Sequence, residues 1–544
     1  MGACWAGETK ALSSISDPTG VQPESDDFWH PGPLVIPMHR RSVAALALLV
    51  ALAGCAAPIA NGGAGAGGQA DSPQAGSGGD AGPTAATTPG PAPADDGSGD
   101  PPSEEQPDPE SDRIGWEAGY WYNDPIAVNN TDGLDGSERA AVLGRAMARV
   151  ELIRNLEFNE SVGVSVVERG SFAAGELGGD EPGQALRTFD NAKFETLLLV
   201  GSGSDSIDTQ EESLNSSVGG YYSTETGDIV IVADSGTPTL DGERTLAHEL
   251  VHALQDQHFD SLGEPARTRD AYNGKNGLVE GDANAVQDAY MDRCGATWRC
   301  IDAPERSPGA GADGSDLHMG VYLLEYFPYA DGPSLIAHLR DGADWSDVNA
   351  AYERVPTSAT EVIDPAQYGS FEPRPIALED DLRGGWERVR PADRPDHGRL
   401  GRSAIAASMA YTLYDSYNGS AVVEPGAFLN QRLGQLDERD PLNYDLTATR
   451  GWVGDRFHAY ERDGDAAAVW RTAWENRTAA ERFADGYRDL LAHWDAGRVG
   501  ANTWRFDEGS PFSGSTYLDV DGSTVTVAKA PTTDGLGDVY AGAR

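Results

Sequence analysis

One short stretch of this 544-residue chain, TLAHELVHALQDQHF from Thr245 to Phe259, restricts its architecture more than any other. Leu246, Leu250, Ala253 and Leu254 recur at helical spacing, so the stretch is expected to be an amphipathic helix with one face against a core. His248 and His252 are four apart, and on a helix their imidazoles leave the same face toward a common point. Glu249 lies beside that face. Two converging imidazoles are zinc ligands by type. Zinc lowers the pKa of its water to about 7, and an adjacent carboxylate can then take the proton as that water attacks a carbonyl.

Such a site needs a third ligand, and two residues compete for the place. His258 stands ten residues after His248, the offset found in His-Glu-x-x-His-x-x-Gly-x-x-His metal sites, where the glycine breaks the helix and turns the last histidine back. Here Gln255 occupies the glycine position, and glutamine has no licence for a positive φ. If the helix continues, His258 faces away from His252. Glu280, in GLVEGDANAV, is the stronger candidate. It is expected to start a second helix after a loop long enough to bring it under the first. The predicted metal set is therefore His248, His252 and Glu280 holding Zn2+, with Glu249 as the catalytic base. A structural zinc is normally closed by four protein ligands and has no use for Glu249, so the open position favours catalysis on a peptide or protein substrate. The competing reading is a non-catalytic surface binding or structural protein that the zinc merely stabilises.

The surroundings predict an α+β class. Val142, Ala146, Val150, Ile153 and Leu156 form a helical stripe within Ser137–Phe158. SVGVSVV and TLLLVG read as strands, and GGYYSTETGDIVIVADS reads as a hairpin turning around Thr226-Gly227-Asp228. That hairpin runs along the edge before the metal-motif helix, which is expected to open near Asp241. Further helices are predicted at Pro333–Arg340, Arg402–Tyr417 and Ala479–Trp494, with a closing strand pair in STYLDVDGSTVTVAK. The loop APERSPGAGADGSD divides a metal-site lobe, 113–302, from a mixed, helix-rich C-terminal lobe, 303–544.

In order, TLAHELVHALQDQHF, LVEGDA, AAYERVPTSATEVIDPAQY, GWVGDRFHAY and VWRTAWEN resemble a family of haloarchaeal surface proteins with relatives in other prokaryotes and a zincin-type metallopeptidase site. The resemblance covers roughly residues 113–544. It implies a zincin-like fold, a metal held by His248, His252 and Glu280, and Glu249 as base. It supplies no substrate. One position departs from thermolysin-like glutamate zincins, which place an aspartate four residues after the ligand glutamate to orient a histidine. Here that residue is Asn284, which leaves Asp282 or Asp288 for the role. His318, Tyr322, Tyr326, Arg456, His458 and Tyr460 are available as oxyanion donors.

The charge and the N-terminus place the protein. Against 87 acidic residues stand 40 basic ones, a net charge of −47, and only four are lysine. Such self-repulsion is screened at molar salt, where the Debye length is about 3 Å, so the surface reads as salt-adapted. No basic stripe offsets the field, which argues against a nucleic-acid partner. From Met38, a basic start at His39-Arg40-Arg41 leads into the apolar run Val43–Gly54, signal-length and too short to span a bilayer. Leu52-Ala53-Gly54-Cys55 resembles a lipobox with Cys55 as the lipidated mature N-terminus, and Arg40-Arg41 resembles a twin-arginine signal. Residues 38–55 are then a lipoprotein signal and 1–37 an upstream extension from a wrongly chosen start. Residues 56–112 are Gly, Ala, Pro and Asp-rich and cannot build a core, so they form a disordered tether. GAGAGG within it lacks the flanking strand and helix of a dinucleotide site. The expected location is the extracellular face of the membrane, held by the lipid anchor. There Cys294 and Cys300 can close a disulfide, and five Asn-x-Ser/Thr triplets at Asn129, Asn159, Asn215, Asn418 and Asn476 fit glycosylation.

Overall fold

The computed structural model describes residues 107–544, apart from 174–181, 234–235, 237, 241, 260–265, 302–316, 342–343, 393, 433 and 438–439. The upstream extension, the signal with Cys55, the tether up to 106, Asp241 and the loop 303–316 lie outside the described residues.

The described residues are α+β. Helix α1, Gly136–Arg154, opens on a capping box in which Asp135 accepts from the N–H groups of Ser137 and Glu138 while Glu138 caps back. It buries Val142, Ala146, Val150 and Ile153 of the predicted stripe, while Leu156 lies past its end and is half-buried, and Asn155 ends it in the left-handed region at φ 56°. Helices α2, Gln184–Thr196, and α3, Ser206–Ser217, follow. TLLLVG, predicted as a strand, is instead the buried turn that closes α2. Leu197, Leu198, Leu199 and Val200 are all inside the core, and Leu198 sits at φ 55°. The apolar run reported burial, and burial does not distinguish a strand from a turn packed under the core.

A small sheet carries β1, Val164–Glu168, β2, Gly220–Ser223, and β3, Asp228–Ala233, in the order β1-β3-β2. The first pair is parallel and the hairpin antiparallel, with Tyr222 opposite Ile229. Gly227 turns the hairpin at φ 72°, as its sequence predicted. Strand β2 is thus an edge strand, and it lies beside α4, Arg244–His258.

Helix α5, Arg269–Arg293, starts from Thr268, whose hydroxyl accepts from the Ala271 N–H. It crosses α6, Met319–Arg340, backbone to backbone. A Cβ built on Gly281 would fall 2.5 Å from the carbonyl of Gly332, so only glycine permits the approach. The predicted helix Pro333–Arg340 is the last part of α6. Helices α7, Ser346–Glu353, and α8, Gly401–Tyr411, complete this layer.

A seven-stranded antiparallel sheet follows. Its strands are β4 (Glu387–Arg388), β5 (Trp452–Arg462), β6 (Asp465–Trp474), β7 (Ala496–Arg498), β8 (Thr503–Phe506), β9 (Ser515–Asp521) and β10 (Thr524–Ala530), ordered β7-β8-β9-β10-β6-β5-β4. Helix α9, Arg477–His493, packs on one face through Phe483 and Tyr487, whose rings meet Trp470. The short α10, Thr533–Val539, closes the other side. One buried cluster runs from Leu134 through the metal-motif helix to Val527, so the helical layer and the sheet share a core. Cys294 and Cys300 are disulfide-bonded with Cα atoms 5.3 Å apart. Among the described residues no helix is long and apolar enough to cross a membrane.

Candidate metal centre

Helix α4 carries His248 and His252 one turn apart on its inner face, with ring centroids 4.8 Å apart. Helix α5 runs beneath and places Glu280 against both. His248 Nε2 lies 3.2 Å and His252 Nε2 3.4 Å from Glu280 Oε2. Glu280 is mid-helix rather than at a helix start, because Thr268 caps the helix three turns earlier. That moves it deeper: His248 and Glu280 are each 1 % exposed.

The donor set fits a zinc ion. Bonds of about 2.0–2.1 Å in a tetrahedron put neighbouring ligand atoms about 3.3 Å apart, matching the two imidazole–carboxylate spacings. The three ligand atoms all lie within 4.8 Å of one another. His252 Nε2 and Glu280 Oε1 are buried without a hydrogen-bond partner, which a buried polar atom tolerates poorly unless something else takes it. Burial by itself pushes the His252 imidazole down, but the Glu280 carboxylate overcomes it and raises His252 to about 9. Burial likewise works to raise Glu280, and His252 and His248 draw it down to about 2. The carboxylate is therefore charged and ready to ligate. A metal would displace the imidazole proton, so its binding releases protons.

Glu249 follows His248 on the same turn, and its charge acts on His252. Its Oε2 accepts from the Tyr222 backbone N–H of edge strand β2 at 2.8 Å, and its Oε1 is buried and unpartnered. His258, the rejected ligand, lies at the far end of α4. Its Nε2 meets the Glu157 carbonyl at 2.7 Å, away from the triad. The helix runs through Gln255 without a break, as the missing glycine required.

Neither aspartate proposed to orient a histidine touches one. Asp282 receives Arg154 at 3.0 Å and the Tyr352 hydroxyl at 2.8 Å, while Asp288 meets Arg244 at 3.4 Å. Asn284 donates to the Tyr329 carbonyl at 3.1 Å. Gln255 holds the histidine instead, its Oε1 2.9 Å from His252 Nδ1 and its Nε2 donating to the Val279 carbonyl at 2.9 Å. The sequence reading used Gln255 only as an absent glycine.

The oxyanion candidates separate. Arg456, His458 and Tyr460 sit on β5, where His458 and Tyr460 are bound to Asp380 and Arg456 donates to His458. His318 caps α6. Tyr322 and Tyr326 belong to a stack of nearly parallel rings that continues through Tyr329 onto His248, at 6.0 Å and 20°. Tyr329, which the sequence did not single out, is the ring against the site. Its spacing of three from Tyr326 was the available signal. Asp112, Glu117 and Glu157 also converge, and burial together with Asp112 raises Glu117 to about 7.

Residues 387–540 match the family model described as Domain of unknown function (DUF8575). No curated protein and no solved structure matches the chain. The matched segment holds all seven strands of the larger sheet with α8, α9 and α10, but none of His248, Glu249, His252 or Glu280, so the similarity lies outside the candidate site.

Proposed function

We propose that the chain is a zinc metallopeptidase, salt-adapted and held by a lipid at Cys55 on the outer face of the membrane, that hydrolyses extracellular peptides or proteins. The observation that carries the reading is the pairing of the triad with a second buried carboxylate that is not part of it. Glu249 is fixed by the Tyr222 N–H and keeps Oε1 free. Bound zinc would supply Lewis acidity for the scissile carbonyl and make water acidic near neutral pH. Glu249 Oε1 would take a proton from the attacking water and return it to the departing amine.

Edge strand β2 suits an extended peptide. In its antiparallel register the Val232 N–H reaches Gly219 O, and Tyr221 faces Val230. Gly220 and Tyr222 therefore turn main-chain groups to the outer side. The Tyr222 N–H serves Glu249, and the other groups can pair with a substrate backbone.

The test pairs metal content with hydrolysis in the full chain at molar KCl. His248→Ala, His252→Ala and Glu280→Ala should each lose most bound zinc, while His258→Ala keeps it. Glu249→Gln should keep zinc and lose hydrolysis by about 10²–10⁴, the range for a general base. The depth of the site favours one rival, a zinc that only staples α4 to α5. Zinc-loaded wild type that cleaves no peptide in a mixed library would establish that rival and end the peptidase reading.

A further inference from the structure

We infer that Gln255 is a positioning residue for the metal, fixing the tautomer of His252 and tethering the two ligand-bearing helices to each other. The inference rests on the metal reading of the triad. The hydrogen-bond pattern fixes the protons between Gln255 and its two partners. The Val279 carbonyl can only accept, so the Gln255 atom facing it at 2.9 Å must be the amide nitrogen. The oxygen then faces His252 Nδ1 at 2.9 Å, and since that oxygen can only accept, Nδ1 must carry a hydrogen. That leaves Nε2, which faces Glu280, as the nitrogen that gives up its proton and offers its lone pair when a metal binds.

The second amide hydrogen is also accounted for. The Tyr352 hydroxyl donates to Asp282 and lies beside Gln255, which leaves its oxygen to accept from the amide. Asp282 in turn holds Arg154. A continuous chain, His252–Gln255–Tyr352–Asp282–Arg154, thus joins α4, α7, α5 and α1 beneath the triad. Gln255, Asp282, Tyr352 and Arg154 are each 1 % exposed or less, so water cannot replace a lost partner. Val279 is the residue immediately before Glu280. A single amide therefore sets the direction of one ligand and the distance to another.

The prediction separates positioning from mere support. Gln255→Ala removes the acceptor for Nδ1–H and the tether, and zinc affinity, read by chelator competition in the full chain, should fall about 10–100-fold. Gln255→Glu keeps the acceptor but turns an oxygen toward the Val279 carbonyl. It should lose melting temperature while retaining most of the affinity. In zinc-loaded wild type, the His252 Nδ1 proton should appear as a slowly exchanging downfield resonance that Gln255→Ala abolishes. Should Gln255→Ala not fold, Tyr352→Phe takes one partner from the amide and should weaken zinc several-fold. Unchanged affinity in Gln255→Ala or in a folded Tyr352→Phe overturns the inference, as does an equal loss in Gln255→Glu. A wild type that takes up no zinc overturns the metal reading and this inference together, whereas a wild type that binds zinc while Gln255→Ala binds it equally well overturns this inference alone.

Discussion

Glu243 precedes the metal-motif helix and is the group whose loss should cost most. It is 0 % exposed and accepts from four donors: Arg145 Nη2 at 2.8 Å, Arg149 Nη1 at 2.8 Å, the Ile301 N–H at 2.9 Å and the Tyr290 hydroxyl. Arg145 and Arg149 are 2 % and 1 % exposed, so the carboxylate is the only charge balancing two buried guanidinium groups in this contact. Glu243→Gln keeps shape and one acceptor oxygen but turns an NH2 toward two donors. Losing one charge-assisted hydrogen bond costs about 1.5–3 kcal/mol, and leaving a guanidinium uncompensated brings the loss to about 3–5 kcal/mol. At about 2.1 cal/mol/K per residue, the described body has an unfolding entropy near 0.9 kcal/mol/K, so the melting temperature should fall by about 3–6 °C. Urea denaturation at constant KCl is the assay, since guanidinium chloride would alter the ionic strength. Arg145, which also reaches the Asp124 carbonyl at 3.4 Å, supplies the control. Arg145→Met in the Glu243→Gln background should recover part of the loss by removing one of the stranded charges. A Glu243→Gln loss under about 1 kcal/mol would refute the reasoning, and so would a double variant that is only the sum of the two singles.

Three further outcomes are expected. Burial raises Glu117 to about 7 and Glu151 to about 9 from an ordinary 4.5, so their stabilisation is complete below about pH 4.5 and drains away as pH rises through 7 and then 9; melting temperature should decline across that window, and Glu117→Gln should flatten its lower half. Removing salt should unfold the chain as the −47 charge loses its screening, and a circular-dichroism melt unchanged between low and molar KCl would reject the salt-adapted reading. Mass spectrometry of membrane-extracted protein should find lipid on Cys55 and no peptide upstream of it; recovery of residues 1–37 in mature protein would contradict the signal assignment.

What the sequence made legible was whatever depends on local spacing. Histidines four apart must share a helix face, and Gly227 between alternating apolar runs must turn a hairpin; both hold in the structure. The unbroken helix through Gln255 was legible for the same reason. Residues that act across elements left no local trace. Glu243 reads as an ordinary charge before a helix, and nothing near it announces two arginines about 100 positions earlier. TLLLVG misled because four apolar residues state that a segment is buried without stating its backbone. The start of α5 was readable and overlooked, since Thr268 followed by Arg269-Asp270 is a helix N-terminus with acid in its first turn.

On the proposed metal reading, position 255 decides how the candidate ligands are held. An aspartate four residues after Glu280 would orient a histidine from α5; Asn284 is spent instead on the carbonyl of Tyr329, the ring stacked on His248. His252 must then be held from elsewhere, and three residues along its own helix is near enough only if that helix continues. A glycine at 255 would end the helix and swing His258 toward the metal, but it would bring no side chain to hold His252. Glutamine does the reverse. It carries α4 on to His258, which turns to the Glu157 carbonyl, and it reaches sideways to both His252 and the carbonyl before Glu280. If the triad holds a metal as proposed, the third ligand and the means of orienting the second follow from one structural decision, the side chain at position 255.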